Sequence, residues 1–209
     1  MRHVCTSGPD QRTPQRGARR SGLVRLPRLA LAAILGALFG IPCFNAQNSK
    51  PGEYEVKAAY LYNFGRFVEW PAKVSPTKEN PLTVCVLGHD PFGPILDATL
   101  AGETINGSNV VAKRISKIED AANCHILFIS SSEADQLKEI LPALEKMSVL
   151  TVSDMPQFAR RGGMIEFVLD GNKVRFEVNL AHAERVGLAL SSQLLKIALR
   201  VRTSAQPRG

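Results

Sequence analysis

The 209-residue sequence has few cysteines and histidines, four of each, and its apolar run is too short for a permanent membrane span. That run extends from Leu29 to Ile41, whereas a transmembrane helix needs roughly 20 apolar residues. An arginine-rich segment precedes it, and a basic segment followed by a short apolar one is typical of an export signal. We therefore expect residues 1–46 to be a cleaved signal peptide, with no membrane span left after processing.

The expected cleavage site fixes where the processed chain begins. Cleavage after Ala46 fits best, and cleavage after Cys43 is the alternative. Pro42 argues against lipid attachment at Cys43, because a small residue usually stands before a lipidated cysteine. We expect a short linker at 47–52, one domain at 53–203 and a flexible tail at 204–209.

Excess basic charge is confined to the expected signal peptide. Residues 1–46 hold seven of the 26 basic residues but only one of the 19 acidic residues. Processing would leave 19 basic and 18 acidic residues, a chain close to neutral. The basic isoelectric point therefore gives no support to nucleic-acid binding, and we expect no nucleic-acid partner.

Two cysteines, Cys85 and Cys124, remain after processing. An even number of cysteines in an exported chain favours a disulfide, and two buried free thiols are the alternative. Cys85 lies within one predicted strand and Cys124 begins a later one. A bridge is geometrically compatible if those two strands are neighbours.

The periodicity of apolar residues predicts alternating helices and strands. Helical spacing predicts helices at 53–70, 91–100, 130–147 and 181–201. Short β-rich runs predict strands at 82–87, 109–115, 124–130, 149–152, 164–169 and 173–180. Asp170-Gly171-Asn172 predicts a hairpin between the last two strands, at an antiparallel edge of the sheet. The expected fold is α/β: a single-domain sandwich with a mixed, mostly parallel central sheet flanked by helices, and a C-terminal antiparallel hairpin plus helix.

Residues with the spacing of a catalytic or metal site are lacking. No nucleophile with a base, metal-ligand cluster or carboxylate pair is evident, so we expect no catalytic residue, no metal, no cofactor and no enzymatic activity. The histidines after residue 46 are isolated in sequence. His89 lies in a strand-to-helix turn, and Arg160 and Arg161 precede two glycines. These three residues are candidate ligand contacts, and the alternatives are turn chemistry and a solvated helix end.

Several segments, taken in order, resemble one bacterial family. They are Lys57 to Pro71 (KAAYLYNFGRFVEWP), Gly88 to Gly93 (GHDPFG), Cys124 to Ser130 (CHILFIS), Leu150 to Asp154 (LTVSD), Gly162 to Phe167 (GGMIEF) and Val174 to Leu180 (VRFEVNL). Over about 53–201 this order is similar to that of the YfiR family of periplasmic proteins.

The resemblance implies a periplasmic repressor that binds the periplasmic domain of an inner-membrane diguanylate cyclase, YfiN-like, or a related sensor. Repression would lower cyclic-di-GMP and biofilm formation. The family also implies a disulfide between Cys85 and Cys124 and a homodimer, whereas its second disulfide, near 162–167, has no cysteines here. Ile165, Phe167 and Glu177 are the candidate partner contacts. The alternative function is a periplasmic small-ligand sensing module for another membrane signalling protein.

Overall fold

The computed structural model of the protein describes residues 52–203. The expected signal peptide, residues 47–51 of the expected linker and the expected tail at 204–209 lie outside the described residues. Within that part of the chain, no helix is long and apolar enough to span a membrane.

The described residues alternate between helices and strands over most of their length. The strands are β1 (Val68–Glu69), β2 (Leu82–Leu87), β3 (Thr104–Ile105), β4 (Ser108–Ile115), β5 (Ile126–Ile129), β6 (Leu150–Ser153), β7 (Ile165–Asp170), β8 (Lys173–Asn179), β9 (Ala189–Leu190) and β10 (Arg200–Arg202). The α-helices are α1 (Glu53–Phe67), α2 (Pro94–Leu100), α3 (Leu137–Leu144), α4 (Leu180–Arg185) and α5 (Ser192–Ile197). Short 3-10 helices lie at Ile118–Asn123 and Ser131–Glu133.

An eight-stranded sheet with the order β10-β8-β7-β6-β5-β2-β4-β3 forms the centre of the fold. Its pairings are parallel except β7 with β8 and β3 with β4. A separate antiparallel pair joins β1 to β9. The predicted α/β class with a mixed, mostly parallel sheet is therefore confirmed.

Alternating side chains of the central strands build a core on each face of the sheet. Val84 and Val86 of β2 belong to the core beneath α1 and α2, whereas Cys85 and Leu87 belong to the core beneath α3. All six residues of β2 are buried. Burial on both faces explains why this strand is apolar apart from Thr83 rather than alternating.

Three predicted helices are shorter than expected. The first ends at Phe67 instead of residue 70, because Val68 turns extended and pairs with Leu190. The second begins at Pro94 instead of residue 91, since Asp90 Oδ1 accepts a hydrogen bond from the Phe92 N–H and closes a turn there. The third is confined to Leu137–Leu144 and follows a separate 3-10 turn.

The predicted long C-terminal helix at 181–201 is wrong. Gly187, with φ of +83°, ends the first short helix, a left-handed conformation that glycine adopts without strain. Ser191 then caps α5, its Oγ accepting from the Leu194 N–H at 3.3 Å. The chain finishes as β10, which adds in parallel to β8. The sequence predicted the hairpin at the edge of the sheet, but β10 forms that edge instead.

Candidate binding surfaces

A disulfide joins Cys85 to Cys124 across neighbouring strands. β2 and β5 pair in parallel, and Cys124 lies just before β5, so the two Cα atoms are 5.9 Å apart. That distance is within the usual range for a bridge. Both cysteines are buried beside Leu127 in the core under α3. The predicted disulfide is confirmed, and its place in the core gives it a structural role.

Two predicted partner contacts, Ile165 and Phe167, lie inside the protein. Their side chains are 0% and 3% exposed. The Phe167 ring stacks on Phe64 of α1, with 5.8 Å between ring centroids. The prediction that these side chains contact a partner is wrong for the fold seen here, because α1 covers this part of β7.

The third predicted contact, Glu177, is engaged within the chain. Its carboxylate accepts a hydrogen bond from Arg202 Nη2 at 3.0 Å, and Arg200 Nη1 lies 3.6 Å away. Glu177 and Arg202 are both largely buried. This ion pair fastens β10 to β8, so Glu177 already has a role in the fold.

Leu169 is the exposed member of the same strand face as Ile165 and Phe167. Successive residues of a strand alternate between faces, so residues two apart share one. Leu169 lies near the hairpin end of β7 and is 60% exposed. It lies in an open depression of about 590 Å³, here called the hairpin groove. The groove is lined by Glu53, Val56, Tyr60, Leu169, Gly171, Asn172, Lys173, Val174 and Arg175.

The three predicted ligand contacts do not form one pocket. The backbone N–H of His89 donates to Ser132 Oγ at 3.0 Å, and the His89 residue is exposed. Arg161 donates from Nη2 to the Ala134 carbonyl and lines a cleft beside α3, which neither His89 nor Arg160 lines. A shared ligand site for all three therefore lacks structural support.

The turn that contains His89 is held by an arginine clamp. Arg114 of β4 donates from Nε to Asp90 Oδ2 at 2.8 Å and from Nη1 to Asp97 Oδ1 at 2.7 Å. Its third contact is the Gly93 carbonyl. The Arg114 guanidinium lowers the pKa of the Asp97 carboxyl. This arrangement favours the turn-chemistry interpretation of 88–93.

A buried ion pair between α1 and the end of β6 was not predicted from the sequence. Lys57 Nζ lies 2.7 Å from Asp154 Oδ2, and Tyr54 donates its hydroxyl to the same oxygen at 3.2 Å. Burial alone would lower the pKa of Lys57, but hydrogen bonds to Asp154 and Glu53 outweigh it and leave that pKa raised. Lys57 is therefore protonated at neutral pH, a state unsuited to a base or a nucleophile. The sequence did carry a signal for this ion pair. Asp154 directly follows a predicted buried strand, and Tyr54 and Lys57 lie three residues apart on a predicted helix.

A metal site is not evident in the described part of the chain. Within residues 52–203, no group of three or more His, Cys, Asp or Glu side chains has a suitable arrangement.

Sequence comparison decides the family. The profile of the YfiR/HmsC-like family matches residues 54–199, which include most of the described domain. The chain belongs to the YfiR/HmsC-like family. This family is regulatory rather than catalytic, and its members are in general periplasmic. The family assignment expected from the resemblance is confirmed.

Solved structures agree at the level of the fold. A conserved domain protein from Vibrio cholerae O1 biovar eltor has a TM-score of 0.51 and 12% identity, with 74% of this chain and 62% of that chain covered. At that identity the likeness concerns the fold alone, and this YfiR/HmsC-like chain spans less than two thirds of that protein.

Two further structures are more distant. The ABC domain in complex with L-Trp from Streptococcus pneumoniae has a TM-score of 0.48 and 12% identity, over 69% of this chain and 60% of that chain. A substrate binding protein with adhesive properties from Clostridium difficile has a TM-score of 0.39 and 12% identity, over 61% and 56%.

Proposed function

We propose that this protein is a non-enzymatic periplasmic regulator that binds the periplasmic part of an inner-membrane diguanylate cyclase and represses it. Repression lowers cyclic-di-GMP and, with it, biofilm formation. The observation that carries the proposal is the YfiR/HmsC-like match over residues 54–199, since that family regulates diguanylate cyclase signalling. The export signal proposed at residues 1–46 fits this location.

The hairpin groove is the proposed contact surface. It exposes Leu169 beside the half-buried Val56 and Tyr60 of α1 and the buried Val174 of β8. The charged groups at its rim are Glu53, Lys173 and Arg175. Apolar centres with a polar rim are the usual composition of protein interfaces. In this proposal Leu169 makes the partner contact that the sequence analysis had assigned to Ile165 and Phe167.

Self-association is proposed to use β10, the edge strand that pairs with β8. β10 is at the edge of the sheet and pairs with β8 alone among the described strands. Ile197 and Leu199, just before β10, are large apolar residues left exposed. An unpaired edge with exposed apolar groups favours pairing with a second copy. Sedimentation velocity tests the homodimer: a monomer at every concentration would contradict it.

The test of partner binding is a pulldown from solubilised envelope extract under oxidising conditions. The processed domain is the bait, and the bound fraction is scored for an integral membrane protein with a diguanylate cyclase domain. We expect the wild-type bait to recover such a protein. Recovery of no membrane cyclase would contradict the proposal.

Two matched variants locate the contact. Leu169→Glu places a charge in the hairpin groove, whereas Val111→Glu places one on β4, near the other end of the sheet, where Val111 is 38% exposed. Neither side chain is buried, so both variants should fold. We expect Leu169→Glu to lose the cyclase and Val111→Glu to retain it. Equal recovery by both variants would exclude the hairpin groove as the contact.

A further inference from the structure

A cleft beside α3 has the composition of a binding site for a small molecule. Its volume is about 240 Å³, and it lies between α3, the segment before β7 and α4. The apolar side chains of its lining are Leu137, Leu141, Pro142, Leu144, Met164 and Val186. Ligand pockets commonly have volumes of roughly 300 Å³ or more, so this cleft suits a small ligand. It is separate from the hairpin groove, with which it shares no lining residue.

Positive charge dominates the polar part of the cleft. Lys138, Arg161 and Arg185 line it together with a single carboxylate, Glu145. Glu145 is 3.8 Å from Arg185, and both side chains are exposed, so their attraction is weak. The ion pairs found within residues 52–203 do not include Lys138 or Arg161. The cleft thus has cationic groups in excess over its carboxylate.

His182 lies beside one of these cations. Its Nε2 is 3.3 Å from Arg185 Nη1, and its Nδ1 is 3.4 Å from the Asn179 amide nitrogen. Burial lowers the pKa of His182, and the neighbouring Arg185 lowers it further. A neutral imidazole at pH 7 therefore lies beside Arg185 without adding to the positive charge of the cleft.

Gly162 keeps the cleft open. Its φ of +110° is unusual for any other residue. A Cβ at this position would lie 3.4 Å from His182 Cε1 and 3.6 Å from Leu141 Cδ1. A longer side chain in this direction would occupy the space between His182 and Leu141. The glycine leaves backbone and space available to a ligand.

We propose that this cleft binds a small amphipathic anion, a carboxylate or phosphate monoester with a short apolar body. Arg161 offers a planar fork of donors that matches either anion, and Lys138 and Arg185 add charge around it. The leucine side chains and Met164 receive the apolar body. The site does not depend on the cyclase partner, because all of its residues belong to one chain.

Calorimetric titration of the processed domain tests the site, with benzoate and phenyl phosphate as probes. Acetate lacks the apolar body, and benzylamine reverses the charge. We expect saturable binding of at least one aromatic anion in the millimolar range or tighter, weaker binding of acetate and none of benzylamine. No saturable binding of either aromatic anion, or equal binding of benzylamine, would overturn the proposal.

Adjacent arginines supply a matched pair of variants. Arg161 lines the cleft, whereas its exposed neighbour Arg160 does not. We expect Arg161→Gln to weaken the aromatic anion about tenfold, the effect of losing a charge-assisted hydrogen bond. Arg160→Gln should leave the affinity unchanged. Equal losses in both variants would show general attraction to a basic surface and would overturn the assignment of the cleft.

Discussion

Lys57 and Asp154, 97 residues apart, form an ion pair that joins α1 to the end of β6, with 2.7 Å between Nζ and Oδ2. The lysine residue is only 3% exposed. Glu53 and the hydroxyl of Tyr54 complete the cluster. The helix that lines one side of the hairpin groove is therefore held in place by charge as well as by apolar packing.

Removing one member of this pair should cost more stability than removing both. Asp154→Ala leaves the buried ammonium with the more exposed Glu53 as its remaining ion-pair partner, and we expect a loss of about 3 kcal/mol in the free energy of unfolding. The double variant Lys57→Met, Asp154→Ala should lose less than Asp154→Ala alone. Urea denaturation measures both, with the exposed Asp135→Ala as the control. A double variant less stable than Asp154→Ala would contradict a paired, buried charge.

The disulfide should stabilise the domain substantially. It closes a loop with a sequence separation of 39 residues, which corresponds to roughly 4 kcal/mol in the chain-entropy model. We expect the double variant Cys85→Ala, Cys124→Ala to lose about that amount in urea denaturation while retaining its circular dichroism spectrum. Reducing agent should destabilise the wild type and have no effect on the variant. Insensitivity of the wild type to reduction would contradict this prediction.

Acid should destabilise the domain partly through His125. The Thr83 N–H donates to Nδ1 of His125 at 3.0 Å, and Nε2 lies 3.0 Å from the Val74 carbonyl, so the ring fits the neutral form. Burial lowers the pKa of His125 in the folded state. Its contribution is thus fully present above the unfolded value of about 6.5 and is lost as pH falls through the folded pKa.

Urea denaturation between neutral and mildly acidic pH checks this sign. Wild-type stability should fall with decreasing pH below about 6.5, and His125→Phe should flatten that dependence while lowering stability at pH 7. An unchanged pH slope in the variant would show that another group is responsible.

Glu177 should hold the C-terminal strand. We expect Glu177→Gln to weaken its pairing with Arg200 and Arg202 and to speed hydrogen exchange at the backbone of β10. Exchange in β2 should remain slow. Glu184→Gln, an exposed change on α4, is the control. Equal exchange at β10 in both variants would contradict the role given to Glu177.

Local patterns in the sequence were sufficient for most of the sheet. The apolar run of 82–87, which contains one threonine, predicted a buried strand, and Asp170-Gly171-Asn172 predicted a hairpin turn; both predictions are confirmed. The C-terminal helix was predicted too long because its apolar residues keep a helical spacing through Gly187 and Ser191. The end of α4 at Gly187 depends on backbone conformation, and the final extended segment depends on pairing with β8, so apolar spacing shows neither.

The binding surfaces were harder to predict because exposure depends on distant segments. Ile165, Phe167 and Leu169 share one strand face, and only the position of α1 decides which of them reaches solvent. The cleft beside α3 combines Arg161 with His182 and Arg185, which are brought together by the fold. Arg161 was identified as a candidate ligand contact because two glycines follow it, but His182 and Arg185, which line the same cleft, were not identified.

The cellular concentration of cyclic-di-GMP tests the central claim, regulation of a cyclase from outside the cytoplasm, most directly. It is measured in cells lacking the gene, in cells complemented with the full chain and in cells complemented with a chain lacking residues 1–46. The account predicts that loss of the gene raises cyclic-di-GMP and that only the full chain restores the original concentration. An unchanged concentration after deletion, or restoration by the chain without residues 1–46, would contradict it.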